Sequence, residues 1–256
     1  PPPPPAPPPP APAVQSAEKL RILVTGFNDW KDLSAPGSSL WRSRDNPSSR
    51  VILEEKDTPM HAYPPLRRNG PLVKLLEANG DHDYSFVTLP VTWSTSCGVD
   101  HMYFDVVIHL GLGVYDNHDT ILLEDGAINK RWGRDASGSE PSELRIDSSK
   151  QEEYAMTNAF VSSVIHRAQV ELADELYGLG FKVAREHPRA DNSYICNDTN
   201  WRGLVAVGES QETGGRLKAS FFVHIPYASP EHGDHATLAR ALSVVIGKLV
   251  AVSTMA

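Results

Sequence analysis

The 256-residue chain sets 32 Asp and Glu against 24 Lys and Arg, a formal net charge of −8. With no block of Lys/Arg, this excludes binding along a phosphate backbone, which requires a basic face. Hydrophobic residues at 40% and charged residues at 22% are an ordinary globular balance, and no apolar run approaches the length that spans a bilayer. Two cysteines, Cys97 and Cys196, cannot build a disulfide framework, which fits a reducing, cytoplasmic compartment. The chain begins at Pro1 without a methionine, so a removed targeting segment stays open.

Ten of the first twelve residues are proline, which favours extended polyproline II and cannot form a core. Residues 1–17 therefore read as a disordered, solvated tail, with docking to an aromatic-lined groove as the alternative. Residues 18–256 form the folded part. Arg21 to Phe27 is a buried strand ending at a glycine turn. Residues 28–49 are a long polar loop, and long loops in compact domains are often functional. Short helices follow at Asn46 to Leu53 and from Pro71. Tyr84 to Val91 is a second strand and Phe104 to Leu110 a third. The third runs into Gly111-Leu112-Gly113, a weak dinucleotide-fold signal because the third glycine is missing and no helix opens there.

Thr120 to Asn129 reads as a strand with an acidic residue in its middle, followed by a polar loop from Asp135 to Lys150. Val161, Val164, Ile165, Ala168, Leu172 and Leu176 mark one apolar face of a long helix. Phe181 to Ala184 is a short strand, and a polar run from Arg185 leads to Asn192-Ser193-Tyr194-Ile195-Cys196-Asn197. A short helical pattern follows, so Cys196 lies near a helix N-terminus, where the dipole and unpaired N–H groups favour a thiolate. The bland reading of Cys196 is a small buried hydrophobe. Asn197-Asp198-Thr199 matches a glycosylation acceptor, and a glycan there would block a working Cys196. Ser220 to Pro226 is another strand, with His224 near its C-terminal end. Glu231-His232-Gly233-Asp234-His235 resembles metal ligands in type but reads as the cap of a closing helix through Leu238, Ala241, Leu242, Val245 and Leu249. Strands alternating with helices predict an α/β fold: a three-layer αβα sandwich around a mixed, mostly parallel sheet. Its site would lie outside the strand C-terminal ends.

Six motifs in order carry a family resemblance. Val24-Thr25-Gly26-Phe27 followed by Asn46-Pro47-Ser48 resembles the N-terminal signature of pyroglutamyl peptidase I, the C15 cysteine peptidases. Leu89-Pro90-Val91-Thr92-Trp93, Asp105 to Leu112, Glu124 to Asn129, Tyr194 to Asn197 and Phe222 to Tyr227 resemble its later motifs. The resemblance implies a catalytic triad of Cys196, His224 and Glu124. The thiolate attacks an amide carbonyl, the imidazole protonates the leaving amine, and the carboxylate orients the ring. It implies a peptide substrate with a blocked N-terminus and no metal or cofactor. Nucleic acid and membrane are not expected partners, and oligomerisation is open.

By position in the matched motifs, substrate would meet Phe27, Trp30, Leu112, Arg134, Tyr194 and Ile195. Departures lie in the pocket. The family's Phe-x-Pro-Phe-Gly-Gly is here Phe27-Asn28-Asp29-Trp30-Lys31-Asp32, and its Ile-Pro-Asp-Asn-Glu-Gly is here Asp135 to Glu140. A pseudo-enzyme that binds peptide N-termini without turnover is the alternative reading.

Overall fold

Alternation does not mark β1 (Arg21–Phe27): all but its first residue are buried, as in a strand covered on both faces. The computed structural model describes residues 18–28, 46–53, 69–94, 98–113, 117–226 and 235–255. The tail 1–17, Asp29, Trp30, Cys97, Tyr227 and Glu231 to Asp234 lie outside the described residues. After β1 come α1 (Pro47–Arg50), α2 (Pro71–Asn79), β2 (Asp83–Leu89), β3 (Val106–Leu112), β4 (Thr120–Glu124), β5 (Ala127–Ile128) and β6 (Ala155–Met156). The chain continues through α3 (Ala159–Gly178), β7 (Lys182–Glu186), α4 (Ile195–Thr213), β8 (Ala219–Ile225) and α5 (His235–Met255).

The main sheet has the order β2-β1-β3-β8-β4-β7. Four of its pairings are parallel and one, β4 with β8, is antiparallel. The expected mixed, mostly parallel sheet is therefore present. Register fixes which residues share a face, because side chains alternate along a strand. Thr25 pairs with His109, His109 with Phe222, Gly111 with His224, Leu122 with His224, and Glu124 with Glu186. These residues therefore project from one face, and α4 covers it, with Gly203 of α4 seated directly on Ser220 of β8. The opposite face meets a layer in which α2 and α3 both pack on α5. Val164, Ile165, Leu172 and Leu242, Val245, Leu249 are fully buried there. Each contributes about 1.5–3 kcal/mol relative to exposure, so the apolar stripe read from the sequence positions α3.

Several boundaries differ from the sequence reading. The strand expected over Thr120–Asn129 is two strands: Gly126 breaks it at φ 148°, and β5 leaves the main sheet to pair with β6. The helix expected over Asn46–Leu53 is helical only through Arg50 and then turns. Its approach to β1 is close: a Cβ on Gly26 would overlap the Ser48 carbonyl. Ser48 Oγ also accepts the Phe27 N–H at 3.0 Å. The expectation that no apolar run reaches membrane-spanning length also changes. An 18-residue window of the 21-residue α5 reaches a mean hydropathy of 1.6, but here its apolar side chains are core against α2 and α3.

Candidate active site

Cys196 is the second residue of α4. The helix starts after Tyr194, whose backbone is extended and whose side chain makes no capping hydrogen bond. The polar side chains of the first turn turn sideways instead. Asn197 Oδ1 accepts from Ile128 N at 2.8 Å, and its Nδ2 donates to the carbonyls of Ile128 and Lys130 at 2.8 and 2.9 Å. Asn200 donates to the Gly126 carbonyl at 2.8 Å. Asp198 receives Arg131 at 2.8 Å and Arg202 at 3.2 Å. These bonds tie the cysteine's helix to the segment that leaves β4, and so fix Cys196 relative to Glu124. They also settle the glycosylation motif: Asn197 is 1% exposed with its amide fully engaged, so the folded chain offers no acceptor there.

Glycine makes room for the sulfur. A Cβ on Gly111 would lie 3.2 Å from Cys196 Sγ and 2.6 Å from the Phe222 ring. The Gly-x-Gly that suggested a nucleotide loop thus serves close packing at the end of β3.

His224 stands between Cys196 and two carboxylates. Its Nδ1 lies 2.7 Å from Glu124 Oε1, and the Cys196 side chain is close enough to the ring to raise its pKa. Asn192 Nδ2 donates to both Glu124 oxygens at 2.9 and 3.1 Å, locking the carboxylate's rotation. Burial alone would pull His224 below the ordinary histidine value. The Glu124 charge, with the nearby Cys196 side chain, the 2.7 Å contact to Glu124 and the Glu186 carboxylate, outweighs burial and holds it well above. Ligand-type atoms of Glu124, Glu186 and His224 all lie within 4.8 Å of one another. Two donors on one tetrahedral zinc would sit about 3.3 Å apart, whereas the 2.7 Å contact is that of a hydrogen-bonded ion pair.

On the other side of Cys196 lies a separate apolar cluster of Phe27, Leu89, Val91, Ile195 and Phe222, with Trp93, Tyr194 and Ala136 packed on it. Trp93 meets Tyr194 edge-on at 5.5 Å. The segment after Arg131 straps this cluster: Trp132 N donates to Ser193 O, Tyr194 OH to Arg134 O, and Trp93 N to Asp135 Oδ2. Of the expected substrate contacts, Phe27, Tyr194 and Ile195 are in this cluster. Leu112 is not: one residue beyond Gly111 on β3, it projects from the opposite face. The Arg134 side chain pairs with Glu140 at the surface, 3.2 Å away, and only its carbonyl reaches the cluster. The sequence reading missed Glu186, Asn192 and Asp135. Asp135 organises its loop through Ser137 N, Ser139 N and Trp93 N.

Beneath the cluster runs a buried chain from Thr25 Oγ1 to His109 Nδ1 at 2.8 Å, then between the Nε2 atoms of His109 and His101 at 3.2 Å. His101 Nδ1 donates to the Val99 carbonyl at 3.1 Å. A single consistent proton arrangement results with both rings neutral. Burial first, then the neighbouring His101, holds His109 well below the ordinary value, and burial lowers His101 against the opposing pull of Val99 and Asp100. Unfolding frees both rings to protonate near pH ~6.5. Their contribution to stability is therefore present above that pH and lost as pH falls. His224 runs oppositely: its contribution is complete below pH ~6.5 and lost as pH rises through its folded value. The melting temperature should accordingly fall between about pH 6.5 and 5, above the carboxylate range. A flat profile across that window would contradict neutral His101 and His109.

No family model matches the sequence, and no curated protein matches it. Solved structures do. A mutant pyrrolidone carboxyl peptidase from the hyperthermophile Pyrococcus furiosus is 19% identical, with TM-score 0.59 over 91% of this chain and 99% of that one. Pyroglutamyl peptidase I from Bacillus amyloliquefaciens is 18% identical, with TM-score 0.57 over 90% and 97%. Pyrrolidone carboxyl peptidase from Thermococcus litoralis is 17% identical, with TM-score 0.57 over 91% and 94%. At these identities the likeness is one of architecture: this chain has the α/β fold of the pyroglutamyl peptidases.

Proposed function

We propose that the chain is a divergent cysteine peptidase of the pyroglutamyl peptidase kind, removing an N-terminal pyroglutamyl residue from peptides. The observation that carries this reading is the continuous line from Glu124 through His224 to Cys196 at the start of α4. The Cys196 thiolate attacks the pyroglutamyl carbonyl carbon, and the carbonyl electron pair moves onto oxygen. Backbone N–H groups at the start of α4, which has no side-chain cap, are the donors that would stabilise that developing charge. As the C–N bond breaks, imidazolium Nε2 gives its proton to the leaving amine. Water then attacks the thioester, His224 takes its proton, and thiolate leaves. Glu124 holds Nδ1 throughout and stabilises the imidazolium.

The apolar cluster beside Sγ suits a flat neutral lactam. An unblocked N-terminal glutamine carries an ammonium group, and burying it unpaired costs several kcal/mol. Asp135 is not free to pair with it, since both its oxygens already accept hydrogen bonds. A fluorogenic pyroglutamyl amide should thus be cleaved with kcat/KM at least about a hundredfold above its glutaminyl counterpart. Comparable rates would place a carboxylate, Asp29 foremost, against the ammonium. Saturable binding of the pyroglutamyl amide without release of the fluorophore would make the chain a non-catalytic binder instead.

A further inference from the structure

Glu124 is not the only carboxylate that the sheet brings to His224. β4 and β7 run parallel with Glu124 opposite Glu186, so both side chains leave the same face at neighbouring positions. Glu186 Oε2 lies 3.6 Å from His224 Nδ1, an ion-pair distance rather than a hydrogen bond. Its other oxygen is 2.8 Å from an Arg189 guanidinium nitrogen. Orienting one ring nitrogen requires one carboxylate, so the second has no part in the cycle as described. Two adjacent buried carboxylates repel unless positive charge is shared between them. Here the imidazolium and Arg189 supply it, with Arg189 also 3.5 Å from the exposed Asp191 carboxylate.

We propose that Glu186, backed by Arg189, is a second positioning carboxylate whose charge sets the alkaline limit of the ion pair between His224 and Cys196. The inference rests on the peptidase reading of the same site. The other groups facing the ring are Glu124 from β4 and Cys196 from α4, with Phe222 edge-on at 5.0 Å. Asp125 is engaged elsewhere, with Arg185 and His187 at 3.4 Å. The close approach of the His224 ring is the largest influence on Glu186 and lowers it, overcoming burial, with the charges of His224 and Arg189 acting the same way.

Removing each member shifts the ring in a known direction. Glu186→Gln deletes a negative charge, so the imidazolium loses its proton at lower pH. Arg189→Ala leaves Glu186 uncompensated, so the ring holds its proton to higher pH. The test follows the His224 ring by nitrogen NMR through a pH titration of the full chain. The pH dependence of Cys196 alkylation by iodoacetamide is measured in parallel, with kcat/KM on the pyroglutamyl amide. Glu186→Gln should move the His224 transition and the alkaline limb of kcat/KM down by about one pH unit, with KM unchanged. Arg189→Ala should move both upward, and Glu186→Asp should fall between wild type and Glu186→Gln. Opposite shifts cannot come from a general loosening of the fold. Coincident wild-type and Glu186→Gln titrations, or shifts of the same sign in both variants, would overturn the proposal. Where Glu186→Gln fails to fold, the half-exposed Arg189 still decides by the sign of its shift. NMR and alkylation need no turnover, so a wild type inert towards the amide defeats the peptidase reading alone.

Discussion

Cys196→Ala should lower turnover of a pyroglutamyl amide by about 10⁴-fold or more while leaving the melting temperature close to wild type. The size follows from the role: without the sulfur no covalent intermediate forms, and groups acting as one unit lose most of their effect when any is removed. The small structural cost follows from position. Cys196 is only partly buried, and the first turn of α4 is anchored by Asn197, Asp198 and Asn200 rather than by the thiol. Iodoacetamide should label Cys196 in wild type and block activity in proportion. Turnover within tenfold of wild type in Cys196→Ala would remove the cysteine from the chemistry.

His224→Ala should cost nearly as much, and Glu124→Gln distinctly less, on the order of 10²-fold in kcat/KM. The alanine removes the group that, among the described residues, is placed to carry the proton between sulfur and the leaving amine. The glutamine keeps an acceptor where Glu124 Oε1 meets Nδ1 at 2.7 Å but loses the charge that stabilises the imidazolium. It also sets an amide –NH₂ against Asn192 Nδ2, which now donates to that oxygen at 3.1 Å. Asn192 must rotate to relieve this, a neutral hydrogen bond worth about 1 kcal/mol. Equal losses in the two variants would mean that Glu124 does more than orient the ring. A wild-type rate in His224→Ala would dismiss the triad.

Much of this arrangement was legible in the chain. The bounds of β1 are those read from Arg21 to Phe27, because a buried central strand is a continuous apolar run ended by its own turn. The stripe from Val161 to Leu176 located α3, since helical periodicity is local. Glu124, His224 and Cys196, the residues proposed as the triad, were read from motif order, and the fold brings Glu124 to within 2.7 Å of His224. Glu186 and Asn192 were not: both fell in a polar run with no periodicity, and Glu186 is placed by β4–β7 register and Asn192 by its long-range bonds to Glu124, neither of which a local pattern encodes. Leu112 was misplaced for a related reason. Adjacency to Gly111 in sequence means opposite faces in a strand. Asn197 matched a glycosylation motif in sequence, and the partners that bury its amide, Ile128 and Lys130, lie far away in sequence.

The antiparallel junction between β4 and β8 carries a consequence for assembly. His224 belongs to the parallel block of β2, β1, β3 and β8, whereas Glu124 and Glu186 belong to β4 and β7. The second block is one unbroken stretch of chain from Thr120 to Glu186, with α3 as its crossover. Its ladder to β8 has two register pairs, Leu122 with His224 and Leu123 with Val223. A slip of one residue there would turn Glu124 to the opposite face and leave the histidine without its carboxylate. In a refolding experiment, recovery of activity therefore times the closure of this junction in its correct register, however much helix has already returned.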